Sequence, residues 1–284
     1  MLHPPRGEFE PRSCALAPEC APISVAETLA GHVGIVDLWY CVSEAVDAEL
    51  LAAYEELLTA DERARYGHFR FDRDRQLFLL TRALVRTVLS EYAAVAPERW
   101  RFTTDGQGRP RVAGPSVALQ VYFNLANTRG LVVCAVSVVH EMIGVDVEEA
   151  DREVEMETLA GYYFAPSEVD ALQALPGTDQ RRRFFALWTL KESYLKARSL
   201  GLALPLDAFS FRMDHGTIDV AFDSHIQEDA RRWRFALLDL MPRHMIALAA
   251  DTGGAPLSLR ARHFLPRPFW RCASPPDQAS RSLY

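Results

Sequence analysis

Apolar and polar positions change period several times along this chain. Over 33–40 they alternate among β-branched residues, which predicts a strand. The stretch 47–58 has helical spacing. A longer helix is predicted over 73–94, where Leu77, Leu80, Leu84 and Val88 recur at steps of three or four. Arg75, Arg82 and Arg86 share one side of it. A Gly-rich turn at 104–110 is flanked by short strand-like pieces, and strands are predicted over 121–125 and 131–139 around Asn127-Thr128-Arg129-Gly130. The order then begins again. A strand over 142–148 is followed by helices at about 154–163, 166–174 and 180–199, then by strands over 209–213, 217–222, 233–238 and 244–250.

Each half therefore reads as a strand, then helices, then antiparallel-type strands. This predicts an α+β protein of two similar α+β subdomains, 31–141 and 142–255, with the site in the cleft between them. Pro-rich ends predict a poorly ordered extension over 1–30 and a C-terminal tail over 256–284.

Composition narrows the function class. The 284 residues carry a net charge of −7, and no aromatic–basic interleave appears, which argues against a nucleic-acid module. Arginines nonetheless crowd the span from Arg63 to Arg86. A basic cluster on an acidic protein points to a specific anionic ligand, although a solvated helix face would look the same. The cysteines Cys14, Cys20, Cys41, Cys134 and Cys272 lack metal-ligand spacing, so a reduced cytoplasmic protein is expected. No apolar run approaches the ~20 residues that span a bilayer, so no membrane partner is expected.

Two segments place carboxylates in apolar surroundings, where they are costly unless paired or bound to a cation. In Gly144-Val-Asp146-Val-Glu148, strand alternation puts Asp146 and Glu148 on one face. Two carboxylates so placed can approach one Mg²⁺, which takes oxygen ligands. A strand end turning acidic toward solvent is the plainer reading. In Trp188-Thr-Leu-Lys191-Glu192-Ser-Tyr-Leu-Lys196, charges interrupt a helix that is apolar on nearly every side. A Glu192–Lys196 pair at i, i+4 contributes only ~0.2–0.5 kcal/mol at a surface. That is too little to account for charges in so apolar a helix, so a bound charged partner explains them better.

These two segments resemble the two signatures of Sfp-type 4′-phosphopantetheinyl transferases. The segments Gly201-Leu-Ala-Leu-Pro205, Phe209-Ser-Phe211, Arg65-Tyr-Gly-His-Phe-Arg-Phe71, Ala83-Leu-Val-Arg86, Gly108-Arg109-Pro110 and Phe123-Asn-Leu125 also resemble the family, in its order and spacing. The resemblance runs from roughly 35 to 250. It implies a pseudo-dimer of two α+β halves that transfers phosphopantetheine from coenzyme A to a serine of an apo acyl or peptidyl carrier protein, releasing 3′,5′-ADP. It further implies Mg²⁺, with Mn²⁺ as the alternative, held by Asp146, Glu148 and Glu192. Glu192 would be the base for the attacking serine, with Asp146 and Lys196 completing the catalytic set. Arg65, Arg109, Pro110, Asn127, Lys191 and Lys196 would contact coenzyme A. A monomer is expected.

One position departs from the family pattern. Where the family often has Ser-His after Phe-Asn-Leu, this chain has Ala126-Asn127, and Asn127 can donate a hydrogen bond but carries no charge. A carrier-protein or coenzyme A binder without catalysis is the rival reading.

Overall fold

A computed structural model describes residues 34–106, 108–199, 203–214 and 216–266. The first strand, β1 (Ile35–Val42), leads through α1 (Ala48–Glu55) and α2 (Ala60–His68) to the long α3 (Asp72–Ser90). Two hairpins follow, β2 (Arg101–Thr104) with β3 (Pro110–Gly114), and β4 (Tyr122–Thr128) with β5 (Leu131–Ser137). The second half repeats this order. It runs β6 (Ile143–Glu149), α4 (Met156–Tyr163), α5 (Pro166–Gln173) and α6 (Gly177–Arg198). The hairpins β7 (Phe209–Asp214) with β8 (Thr217–Phe222) and β9 (Trp233–Leu238) with β10 (His244–Asp251) complete it.

The sheets repeat as well. The first half pairs β1–β5–β4 and the second pairs β6–β10–β9, antiparallel throughout. Period-2 alternation gives each sheet two apolar faces. Cys134, Val132 and Val136 of β5 meet α3, whereas Leu131, Val133 and Ala135 turn the other way. Met245, Ala247 and Ala249 of β10 meet α6, whereas Ile246, Leu248 and Ala250 turn away. The two turned-away faces join Val36, Leu38, Val145 and Val147 in one shared cluster between the sheets. Each half thus has its own core, and a third core lies between them. Where β4 runs beside β6, the buried Asn124 side chain bridges the two sheets, its Oδ1 accepting from the Val145 N–H at 2.9 Å.

Two elements differ from the sequence expectation. The helix α2 was not anticipated, because its composition is polar. It starts at a capping box in which Thr59 accepts from the Glu62 N–H and Glu62 accepts from the Thr59 N–H. The strand β11 (Ser258–His263) lies within the expected tail. It pairs in parallel with β1, beside the first half's sheet. Arg260 donates to the buried Asp37 of β1 at 2.5 and 3.0 Å, which fixes that docking. Phe264 and Leu265 pack on the first core. The 1–30 extension and the tail beyond 266 lie outside the described residues, as do residues 200–202 of the family-like segment. No helix among the described residues is long and apolar enough to cross a membrane.

Candidate active site

Strand register decides which way β6 presents its charges. Gly144, Asp146 and Glu148 stand opposite Ala249, Ala247 and Met245, which face α6. The two carboxylates therefore share the α6 face of the sheet, as the alternation predicts, while Val145 and Val147 enter the core between the sheets.

Across from them, α6 supplies Glu192 and Lys196 from one helical side. The Lys196 ammonium donates to Asp146 Oδ1 at 2.7 Å. Asp146 is 6% exposed, and its second oxygen, Oδ2, is buried without a hydrogen-bond partner. Such an atom bears a full desolvation cost unless a partner arrives. Glu148 lies 3.1 Å from the Arg152 guanidinium. Burial, and then the Asp146 charge, push the carboxyls of both Glu148 and Glu192 above the usual carboxylate range. The Asp146 charge thus reaches both glutamates, and Lys196 opposes the shift at each.

This donor set suits a hard divalent cation: it is all oxygen, and one buried oxygen is unsatisfied. Among the described residues, however, no three His, Cys, Asp or Glu side chains form a closed metal-binding group. Lys196 and Arg152 are the positive charges on the acids in this conformation.

Lys191 is engaged inside the protein. It was expected at the phosphates, but it is fully buried on another side of α6. Its ammonium donates to the carbonyls of Leu206 and Phe209 at 2.7 and 2.6 Å and pairs with Glu168 at 2.8 Å. It also stacks 4.4 Å over the Phe209 ring. With its donors so engaged, it ties α6 to α5 and β7. Arg109, expected at coenzyme A, is also engaged within the protein. Its guanidinium, in a residue only 8% exposed, donates to the backbone carbonyls of Glu141, Ile143 and Ala197. It fastens the start of β6 to the end of α6.

The remaining predicted contacts sit on the first half. Arg65 is exposed on α2, with its guanidinium 5.5 Å from the Phe78 ring centre. Arg82 stacks on the same ring at 5.3 Å. A single carboxylate, Glu62, serves both Arg82 and the buried Arg86, so this corner carries excess positive charge. Asn127 is exposed on β4, three residues beyond the Asn124 bridge, and donates to Thr81 Oγ1 at 3.3 Å. Pro110 opens β3. The cleft of about 510 Å³ at the far end of β6 is lined by Arg109, Arg198 and Arg232 and does not include the acids.

Sequence reasoning missed Asn124 as a bridge, although a polar residue in the apolar strand around Phe123-Asn-Leu125 is the signal that finds it. It also missed Glu168, the partner of Lys191.

Comparison with known proteins identifies the family. Residues 142–249 match the 4′-phosphopantetheinyl transferase superfamily, and residues 44–139 match the N-terminal region described as 4′-phosphopantetheinyl transferase, N-terminal. The 4′-phosphopantetheinyl transferase HetI of Nostoc sp. is 34% identical over 170 residues, covering 59% of this chain and 70% of that protein. The 4′-phosphopantetheinyl transferase Sfp of Bacillus subtilis is 30% identical over 174 residues, covering 61% of this chain and 75% of that one. A solved holo-[acyl-carrier-protein] synthase of Thermotoga maritima aligns over 39% of this chain and 62% of its own, with 21% identity and a TM-score of 0.33, so the assignment rests on the sequence matches. Both signatures fall inside the matched regions, and the chain belongs to the 4′-phosphopantetheinyl transferase family, Sfp-type members included.

Proposed function

We propose that this protein transfers the 4′-phosphopantetheine group of coenzyme A to a serine of an apo acyl or peptidyl carrier protein, at the acids between β6 and α6. The observation that carries this reading is the buried Asp146 carboxylate, with Lys196 on one oxygen and no partner on the other, beside Glu148 and Glu192.

Asp146, Glu148 and Glu192 are the residues that would hold Mg²⁺ or Mn²⁺. When bound, that ion supplies charge neutralisation for a diphosphate. The chain's own residues do the rest. Glu192 accepts the proton of the incoming serine hydroxyl as general base. As the serine oxygen bonds to phosphorus, the bond to 3′,5′-ADP breaks. Lys196 offsets negative charge on the phosphates. No internal nucleophile is required, because the partner brings the serine. Arg65 and Asn127, with Pro110 at the start of β3, form the coenzyme A contacts on the first half. On this reading the ligand lies between two units, 31–141 and 142–255.

The carrier meets the α4 face, where Tyr162 and Tyr163 are 76% and 42% exposed and Tyr163 stands edge-on to Trp188. Of the arginines near that face, Arg181 donates to the Ala150 and Arg152 carbonyls and Arg182 pairs with Asp239 at 2.8 Å, which leaves Arg183 for an acidic partner.

Mass spectrometry of an apo carrier incubated with coenzyme A and Mg²⁺ tests the reading. A mass gain of one phosphopantetheine is expected. Binding of the carrier without mass gain would make the protein a binder only.

A further inference from the structure

The Arg152 guanidinium is held differently from every other part of the acidic centre. Its main chain is pinned: the Arg152 N–H donates to the Glu149 carbonyl at 3.2 Å, and its carbonyl accepts from Arg181. Its side chain is not. Nε lies 3.1 Å from Glu148 Oε2, yet this buried Nε makes no hydrogen bond. The contact is therefore mainly Coulombic and poorly aligned, with a weaker directional component than Lys196 has at Asp146. The guanidinium is 39% exposed and also lies 5.5 Å from the Phe185 ring centre, so it has a second resting place if Glu148 is taken from it. Arginine keeps its charge at any working pH, so this counter-ion cannot be lost by deprotonation and must be displaced.

We infer that Arg152 is the displaceable counter-ion of the centre: it holds Glu148 in the cation-free protein, competes with an entering divalent cation, and so sets that cation's affinity. The inference rests on the reading of Asp146, Glu148 and Glu192 as a cation site. Lys196 is a poor candidate for the same role. It is hydrogen-bonded to its acid and is assigned to the phosphates, whereas Arg152 has no other task in transfer. The side chain sets binding strength and takes no part in the chemistry.

Direct cation binding to the full, metal-free chain tests this, with no coenzyme A present. Free Mn²⁺ is followed by electron paramagnetic resonance, and Mg²⁺ by calorimetry. Arg152→Met should bind about two- to fivefold tighter, the factor expected from removing one partly exposed ion pair. In a Glu148→Gln background, adding Arg152→Met should change affinity by less than about 1.5-fold, because the contested ligand is gone. Unchanged or weaker binding by Arg152→Met overturns the inference. So does a full gain that persists in the Glu148→Gln background, since that would be a general field effect. A parent protein that binds neither ion overturns the cation reading itself, and this inference with it. Melting curves show that each variant is folded.

Discussion

An ideal Cβ placed on Gly144 would lie 2.1 Å from the Ser193 carbonyl oxygen and 2.4 Å from the Ala197 amide nitrogen. The glycine that opens the first signature is thus the place where α6 lies directly on β6. That approach brings Glu192 and Lys196 to Asp146, two residues further along the strand. The two signatures form one site because a side chain is missing at this point.

Gly144→Ala should therefore be costly in two ways. Backbone atoms cannot yield as a flexible side chain would, so a loss of about 1–3 kcal/mol or more is expected from overpacking. Transfer should fall as well, because α6 must move off the acids. Urea denaturation and a transfer assay read both effects, and an unchanged midpoint would show that α6 is not held this close.

Glu192→Gln and Asp146→Asn should each cut transfer by about 100-fold or more, the usual scale for losing a positioned base or its electrostatic support. Neither should unfold the protein, because each removes one side of the repulsion between Asp146 and a buried glutamate. Transfer within a factor of about two of the parent for Glu192→Gln would sink the mechanism.

Burial of the two glutamates, and then the Asp146 charge, predict a pH dependence. Glu148 and Glu192 titrate above the ordinary value in the folded chain. In the window between the ordinary glutamate value of about 4.3 and the raised one, the folded state binds more protons than the unfolded state. Stability contributed by these groups is therefore present below the window and is lost as pH rises through it. In chelator, the parent should lose stability relative to the Glu148→Gln/Glu192→Gln variant as pH increases across that range. Urea titrations of both proteins at several pH values check this, and a constant difference would count against the raised carboxyls.

Lys191→Met should act on folding rather than on ligand binding. It leaves Glu168 buried at 3% exposure without its counter-ion, at a cost of about 3–5 kcal/mol. The Michaelis constant for coenzyme A should stay within a factor of about two in the fraction that remains folded. A large rise in that constant, at parental stability, would restore the phosphate contact that the sequence suggested.

Arg65→Ala should raise the Michaelis constant for coenzyme A more than it lowers turnover, because a uniform binding contact acts in both ground and transition states. If Arg65 meets the 3′-phosphate, the effect should shrink with dephospho-coenzyme A. Equal losses with both substrates would move Arg65 away from that phosphate.

Much of this protein was legible in its sequence. Strand alternation alone put Asp146 and Glu148 on one face, because the side-chain period is two. Helical spacing alone put Glu192 and Lys196 on one side of α6. The repeated order of strand, helices and hairpins predicted two like halves, since local periodicity survives without knowledge of contacts. What the tertiary structure alone decided is which side of α6 meets β6. Lys191 and Glu192 are neighbours in sequence, but a helix turns them to different sides, and only packing against Glu168, Leu206 and Phe209 shows that Lys191 is the buried one. Arg109 is a similar case: a surface-type residue became a tie because three carbonyls converge on it. The docking of β11 on β1 depends on the Asp37–Arg260 pair, whose members lie 223 positions apart. No local pattern encodes such a contact, because its free energy exists only once the chain has closed around a buried carboxylate.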